Sequence, residues 1–154
     1  MAAKSGPAPR VLTDEELHLL LDRGRFGTPA SVRRTGHPHL STVLHHWSPG
    51  ERVLRFPTTA DRLKTRQLRS DPRAAPHVSG PDMWSFAVAE GEAEVSDVTA
   101  APGDDVGREL LAMTAGFDDP AQKAEFLGRQ VGESRVVIRL RVTRLYGTAL
   151  DIPK

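Results

Sequence analysis

The stretch from Arg135 to Val142 limits the possible folds more than any other part of the chain. Val136, Ile138, Leu140 and Val142 alternate with Arg135, Val137, Arg139 and Arg141. A period of two puts the first set on one face of a β-strand and the second on the opposite face. One face is then buried and the other is polar and partly cationic, as in an antiparallel sheet with a single core side. Partner strands are readable upstream. Phe26 to Arg34, His39 to Trp47 and Arg52 to Phe56 are β-friendly runs separated by turns at Thr35-Gly36 and Ser48-Pro49-Gly50, an antiparallel meander of three strands. Arg73 to Val78 reads as a fourth strand, placed at an edge because of Pro76, and Ser79-Gly80-Pro81-Asp82 ends it in a turn. A long fifth strand carries Trp84, Phe86 and Val88 on one parity. Ala93 and Val95 rejoin that side only if a bulge near Glu90-Gly91 shifts the register.

Helical signals fall between and after these runs. Thr13 with Glu16 makes a capping box, Leu12 can staple onto Leu17, Leu17, Leu20 and Leu21 share a face, and Gly24 suits the position just past the helix end. Asp61 to Ser70 holds good helix formers and stops at Asp71-Pro72. Asp104 to Ala115 and Pro120 to Val131 show helical apolar spacing, separated by Gly116-Phe117-Asp118-Asp119. About six strands with flanking helices predict a small α+β, mainly β barrel, since closure removes exposed edges. A length of 154 residues suits one domain, assigned to 11–154, behind a Pro/Ala/Gly-rich tail over 1–10 that is expected to be disordered.

Composition then narrows the chemistry. The absence of cysteine removes disulfides, zinc ribbons, iron-sulfur clusters and thiol nucleophiles. No run approaches the roughly 18 apolar residues of a membrane span, and MAAKSGPAPR lacks the apolar core of a signal peptide, so a cytoplasmic location is expected. A formal charge of +1 argues against bulk nucleic-acid binding, as does the scarcity of aromatics for a base-stacking platform. Yet 17 of the 21 basic residues are Arg, and several crowd into one segment.

That segment is Phe56 to Arg69, FPTTADRLKTRQLR. Where a strand gives way to a helix, free amide groups and the positive helix end meet the hydroxyls of Thr58 and Thr59 and the pair Arg62 and Lys64. This combination suits a phosphate, because Arg grips two oxygens at once and Lys adds a movable charge. The competing reading is a solvated stripe of Arg62, Arg66 and Arg69 on one helix face. Elsewhere, His37, His39, His45 and His46 suggest a metal tetrad, but no carboxylate sits at matching spacing and no metal is assigned. One of the second-strand imidazoles can be pictured donating a proton near a bound ring, although structural roles for strand histidines are commoner. Trp47, Trp84 and Tyr146 are simplest as core or subunit-boundary aromatics.

TTADRLKTRQLRSDPRAAPHV, followed by WSFAVAEGEAEV and preceded by GHPHLSTVLHHW, resembles the pyridoxamine 5′-phosphate oxidase-like split β-barrel flavoproteins. Within them it is similar to the type that uses the deazaflavin coenzyme F420. The resemblance spans Leu17 to Val98 closely and the last strand loosely. It implies a six- to seven-stranded antiparallel split β-barrel (the FMN-binding split barrel) with flanking helices. It further implies a homodimer with a cofactor groove at each side of the subunit boundary, and an oxidoreductase passing a hydride between F420 and a small conjugated or quinone-like substrate. FMN is the alternative cofactor, and a carrier that binds without turnover is the alternative role. Arg62 and Lys64 match the phosphate-binding pair, assisted by Thr58 and Thr59. Ser41, Thr42 and Val43 match the stretch lining the isoalloxazine-like ring, and Trp84 matches a strand start that approaches the cofactor from the other subunit. With F420, whose tail is an anionic oligoglutamate, Arg66 and Arg69 join Arg139 or Arg141 in a cationic track. Two departures stand out: Gln67 replaces a usual Asn, and the GPDM turn is short where such loops shape the substrate pocket. The chain also lacks the extra pyridoxal-phosphate-binding elements of true pyridoxamine phosphate oxidases, which argues against vitamin B6 oxidation.

Overall fold

A computed structural model describes residues 5–153. Among them the chain forms β1 (Arg10–Val11), α1 (Asp14–Arg23), β2 (Phe26–Val32), β3 (Pro38–Leu40), β4 (Val43–Leu44), β5 (His46–Ser48) and β6 (Val53–Thr59). It continues through α2 (Leu63–Ser70), β7 (Arg73–Ser79), β8 (Phe86–Val95), α3 (Asp105–Ala112), α4 (Pro120–Gly132), β9 (Arg135–Tyr146) and β10 (Thr148–Ala149). The main sheet is antiparallel throughout and runs β3-β2-β7-β8-β9-β6-β5, with β4 also on β2 and a small β1-β10 sheet beside it. The expected tail over residues 1–10 lies partly outside the described residues, but Arg10 opens β1 and binds Glu16 and Asp151.

The last strand is built as its alternation predicts. Val136, Ile138 and Leu140 are fully buried with Leu54 and Phe56 of β6 in the barrel core. Val137, on the other face, is also fully buried, because α3 lays Val106 and Leu110 over it. The capping box of α1 is present, with Glu16 N donating to Thr13 Oγ1 at 3.2 Å and Thr13 N donating to Glu16 Oε1 at 3.2 Å. Gly24 does follow this helix, but in an extended conformation with φ −71°. Its lack of a side chain serves close packing instead, since a Cβ there would lie 2.5 Å from Val78 Cγ1.

The His39 to Trp47 run is three short strands and not one. β3 and β4 pair with β2, whereas β5 pairs with β6 at the far end of the sheet. This single segment therefore crosses from one sheet edge to the other and closes the barrel. The crossing interrupts the ladder at Ser41-Thr42, which lie outside any strand. β7 is not an edge strand, as Pro76 suggested, but sits between β2 and β8. Its Pro76 directly opposes Pro29. Neither proline has an N–H to give, so this must be a pair without mutual hydrogen bonds, each ring nitrogen facing away from the other strand. On those outer sides the neighbouring ladders have gaps, because β3 and β4 leave Thr28 and Pro29 unpaired and β8 leaves Ala75 and Pro76 unpaired.

The irregularity near Glu90-Gly91 occurs where expected, but the extra residue belongs to the partner strand. Glu90 opposes Arg144 and Gly91 opposes Val142, so Thr143 of β9 has no counterpart. β8 consequently keeps its parity, with Ala87, Ala89, Ala93 and Val95 packed on the core, while Trp84 is exposed. Across the bulge it is β9 that switches phase, from Val142 to Leu145. Gly91 is required there: a Cβ would stand 1.9 Å from the Arg141 carbonyl oxygen.

Candidate functional site

The barrel closure and the start of α2 meet at one corner. β6 ends at Thr59, the chain turns through Ala60 and Asp61, and Arg62 occupies the N-cap of α2 with no side-chain cap bond. The first turn of that helix contains no acidic residue, so its amides and dipole are not offset by a local carboxylate within the helix. Thr65 Oγ1 donates to Thr59 O at 2.8 Å, a buried tie that fixes the helix to the strand end.

Lys64, in the first turn, reaches back to the interrupted second-strand segment. Its Nζ lies 3.4 Å from Ser41 Oγ, long for a hydrogen bond, so the ammonium retains most of its donor capacity. Burial first, then the positive fields of Arg62 and Arg135, hold the Lys64 pKa below the usual lysine value. Among the described residues no carboxylate stands within 4 Å of Lys64, Arg62 or Arg66. Asp61 is close by in sequence, but its Oδ1 takes the proton of Thr59 Oγ1 at 2.6 Å. This hydroxyl first, with Arg62 and Arg66 adding smaller contributions, holds the Asp61 carboxyl below its ordinary pKa. A half-buried ammonium, an exposed guanidinium and an uncapped helix start at one corner form a donor set suited to an anion.

The other sequence-named residues sort around this corner. Ser41 is half-buried in the ladder gap, Thr42 is exposed and Val43 is buried at the head of β4. Thr58 points into the barrel and is buried, whereas Thr59 is half-buried at the rim. Arg66 is exposed and faces away from Lys64, lining a depression of about 810 Å³ with Arg33, Arg34, Gly36 and Arg73. Trp84 is 50% exposed in the loop before β8. Within one chain it is remote from the corner. Thr58 pairs with Val136 and Val88 with Tyr146, which puts the two regions at opposite ends of β9, on the order of 30 Å along the strand.

Two expectations narrow here, because Arg139 and His45 are each committed to a partner within the chain. Arg139 is no part of a cationic track, because it donates to Glu109 at 2.6 and 2.8 Å and to Glu94 at 3.2 Å. Arg141 leans on Glu94 at 3.9 Å. Nor does His45 offer a proton. Its Nε2 lies 2.8 Å from Leu21 O, which can only accept, so Nε2 carries the hydrogen and the buried Nδ1 has no partner. Burial keeps the His45 pKa below the ordinary imidazole value, against the smaller opposing effect of the Leu21 carbonyl. Trp47 is a core residue whose Nε1 donates to His18 Nδ1 at 3.2 Å. Among the described residues no three His, Asp or Glu side chains converge as metal ligands.

No protein-family model matches the chain. Solved structures do. A conserved hypothetical protein of Mycobacterium tuberculosis superposes with a TM-score of 0.73 at 20% identity, covering 98% of this chain and 95% of that one. An F420 reductase is 29% identical with a TM-score of 0.58, over 83% of this chain and 94% of its own. A pyridoxamine 5′-phosphate oxidase-related, FMN-binding protein of Nostoc punctiforme gives 0.59 at 14% identity, over 85% and 78%. The chain has the split β-barrel fold of pyridoxamine 5′-phosphate oxidase-like proteins.

In this split barrel, sequence reasoning pointed to the strand-helix junction but missed Arg135 there, and missed Arg33 and Arg34 in the separate depression beside Arg66. Arg135 opens β9 opposite Thr59 and joins Asp61 and Glu133 around a depression of about 640 Å³. The hairpin pair Arg33 and Arg34 was missed because nothing local links it to α2. The split barrel brings them together only through β2, where Ser31 Oγ donates to Gln67 Oε1 at 2.8 Å.

Proposed function

We propose that this split barrel is an oxidoreductase that binds coenzyme F420 and passes a hydride between it and a small conjugated or quinone-like organic molecule. The observation that carries the reading is the corner where Lys64, beside Ser41, and Arg62 stand without carboxylate partners at the uncapped start of α2. That donor set fits a phosphate, so Lys64, Arg62 and the first amides of α2 hold the cofactor's phosphate, with Thr59 at the rim. Ser41, Thr42 and Val43 line its ring from the gap in the barrel wall. Bound there, the deazaflavin ring supplies the hydride-carrying carbon, and the protein contributes orientation and exclusion of water. The 29% identity with an F420 reductase supports F420 over FMN, as do Arg66, Arg33 and Arg34, which provide positive charge beyond the phosphate corner for an anionic tail.

A homodimer follows from the same reading. Trp84 can approach this cofactor only from a second copy, given its position at the opposite end of β9 within one chain. A cytoplasmic location is in keeping with a reduced cofactor, and among the described residues no helix is long and apolar enough to cross a membrane. One observation favours a second reading, a carrier that binds the cofactor without turnover: the imidazole of His45 is committed to Leu21 and offers no proton. Titration with F420 and with FMN, followed by ring fluorescence, tests the proposal. It expects saturable binding tighter for F420, then oxidation of reduced F420 by quinone-like acceptors. No saturation with either cofactor overturns it, and binding without oxidation across a broad substrate panel selects the carrier.

A further inference from the structure

The anion corner contains carboxylates as well as cations, and their arrangement sets how much negative charge it accepts. Asp61 and Glu133 line the same depression as Arg62 and Arg135. Arg135 Nε donates to Glu133 Oε2 at 2.7 Å, so this pair cancels. Lys64 and Arg62 remain as two cations, and Asp61 offsets one of them. The Thr59 hydroxyl adds no donor to the corner while its proton is held by Asp61 at 2.6 Å. The corner thus carries about one net positive charge. A singly charged anion neutralises it, whereas a doubly charged one leaves a surplus negative charge beside the Asp61 carboxylate.

We propose that Asp61 is a specificity-determining residue that tunes this corner to a phosphodiester monoanion and against a phosphomonoester dianion. The inference rests on the phosphate placement under "Proposed function" and extends it. F420 carries its phosphate as a diester, joined on both sides, and FMN carries a monoester with a second ionisation near pH 6. Selection between the two cofactors then resides in one carboxylate at the mouth of α2, in addition to any contact with the tail.

Three ligands with one ring separate charge from shape: 8-hydroxy-5-deazariboflavin, its 5′-methyl phosphate and its 5′-phosphate, titrated at pH 7.5 into the intact protein and into Asp61→Asn. The Asn amide oxygen still accepts from Thr59, which preserves the local turn. Repulsion scales with ligand charge, so Asp61→Asn should tighten the monoester about tenfold, the diester about threefold and the uncharged ligand not at all. Equal gains for all three ligands, or no gain for any, would overturn the inference while leaving F420 binding in place. Failure of F420 itself to bind removes the phosphate placement and this inference together.

Discussion

Two groups of basic side chains in this molecule have opposite surroundings. On the outer face of β6 and β9, Arg55 and Arg139 converge on Glu109 of α3, with Nε–O distances of 2.8 Å from each, and Glu51, Ser48 and Glu94 take their remaining donors. The two guanidinium groups and Glu109 are mostly shielded from solvent, and each guanidinium has its carboxylates. At the α2 corner, by contrast, Arg62 and Lys64 sit without carboxylate partners on a helix that has no side-chain cap. Desolvation of a cation is costly unless a counter-charge is present, and the first group meets that requirement internally. The second meets it only in part, through the more distant Asp61 carboxylate, and leaves the rest to something that arrives. The same sign of charge thus pins a helix to the sheet in one place and suits an anion in the other.

The sharpest way to break this contrast is to truncate one residue from each group and measure both stability and binding. Lys64→Ala should weaken F420 by about 1.5 to 3 kcal/mol, the worth of a charge-assisted bond to phosphate, with the unfolding midpoint in urea held or slightly raised. A fall in stability with affinity unchanged would reverse its role. Glu109→Ala should do the opposite, costing about 2 kcal/mol of stability by stranding two half-buried guanidinium groups, with the affinity of the folded protein retained. The figure lies below that for a fully buried triad because these groups keep some contact with water.

The sequence displayed the first group's strand and the second group's motif, but not the difference between them. Alternation through Val136, Ile138, Leu140 and Val142 is a local property, and so is the Thr13 and Glu16 cap, so both were readable. Whether Arg139 faces a ligand or a carboxylate depends on Glu109, thirty positions away on a helix whose docking is tertiary. Ser41-Thr42 looked like mid-strand because HLSTVLHHW has β character throughout, and only barrel closure dictates that the ladder breaks there. Pro76 pointed to an edge under a rule that holds for regular ladders. It fails where the β7-β8 ladder skips Pro76 and the gap between β3 and β4 skips Pro29, so neither ring nitrogen faces a strand that needs its proton.

Two smaller effects sharpen the picture. His45 is half-buried with its Nδ1 shielded from water, so the folded protein binds its proton more weakly than the unfolded chain does. In the window below about pH 6.5 the unfolded state therefore holds more protons, and stability must fall as pH falls through it. The slope from this residue should not exceed about 1.4 kcal/mol per pH unit, and His45→Gln should flatten it. Urea unfolding at pH 7.5 and 5.5 checks both points, and a pH-independent midpoint would mean that the imidazole is solvated. Smallest of all, Arg66→Ala should lower F420 affinity about threefold at low salt, with the difference vanishing at about 1 M salt, where screening reaches within roughly 3 Å. A loss that persists at high salt would make Arg66 a direct phosphate ligand.

The most direct test of the central claim is a structure of the protein with F420 bound. The phosphate should lie within about 3.2 Å of Lys64 Nζ and of an amide in the first turn of α2, beside Ser41 at the barrel gap. A phosphate held instead by Arg33 and Arg34, with Lys64 still against Ser41 alone, would contradict the account.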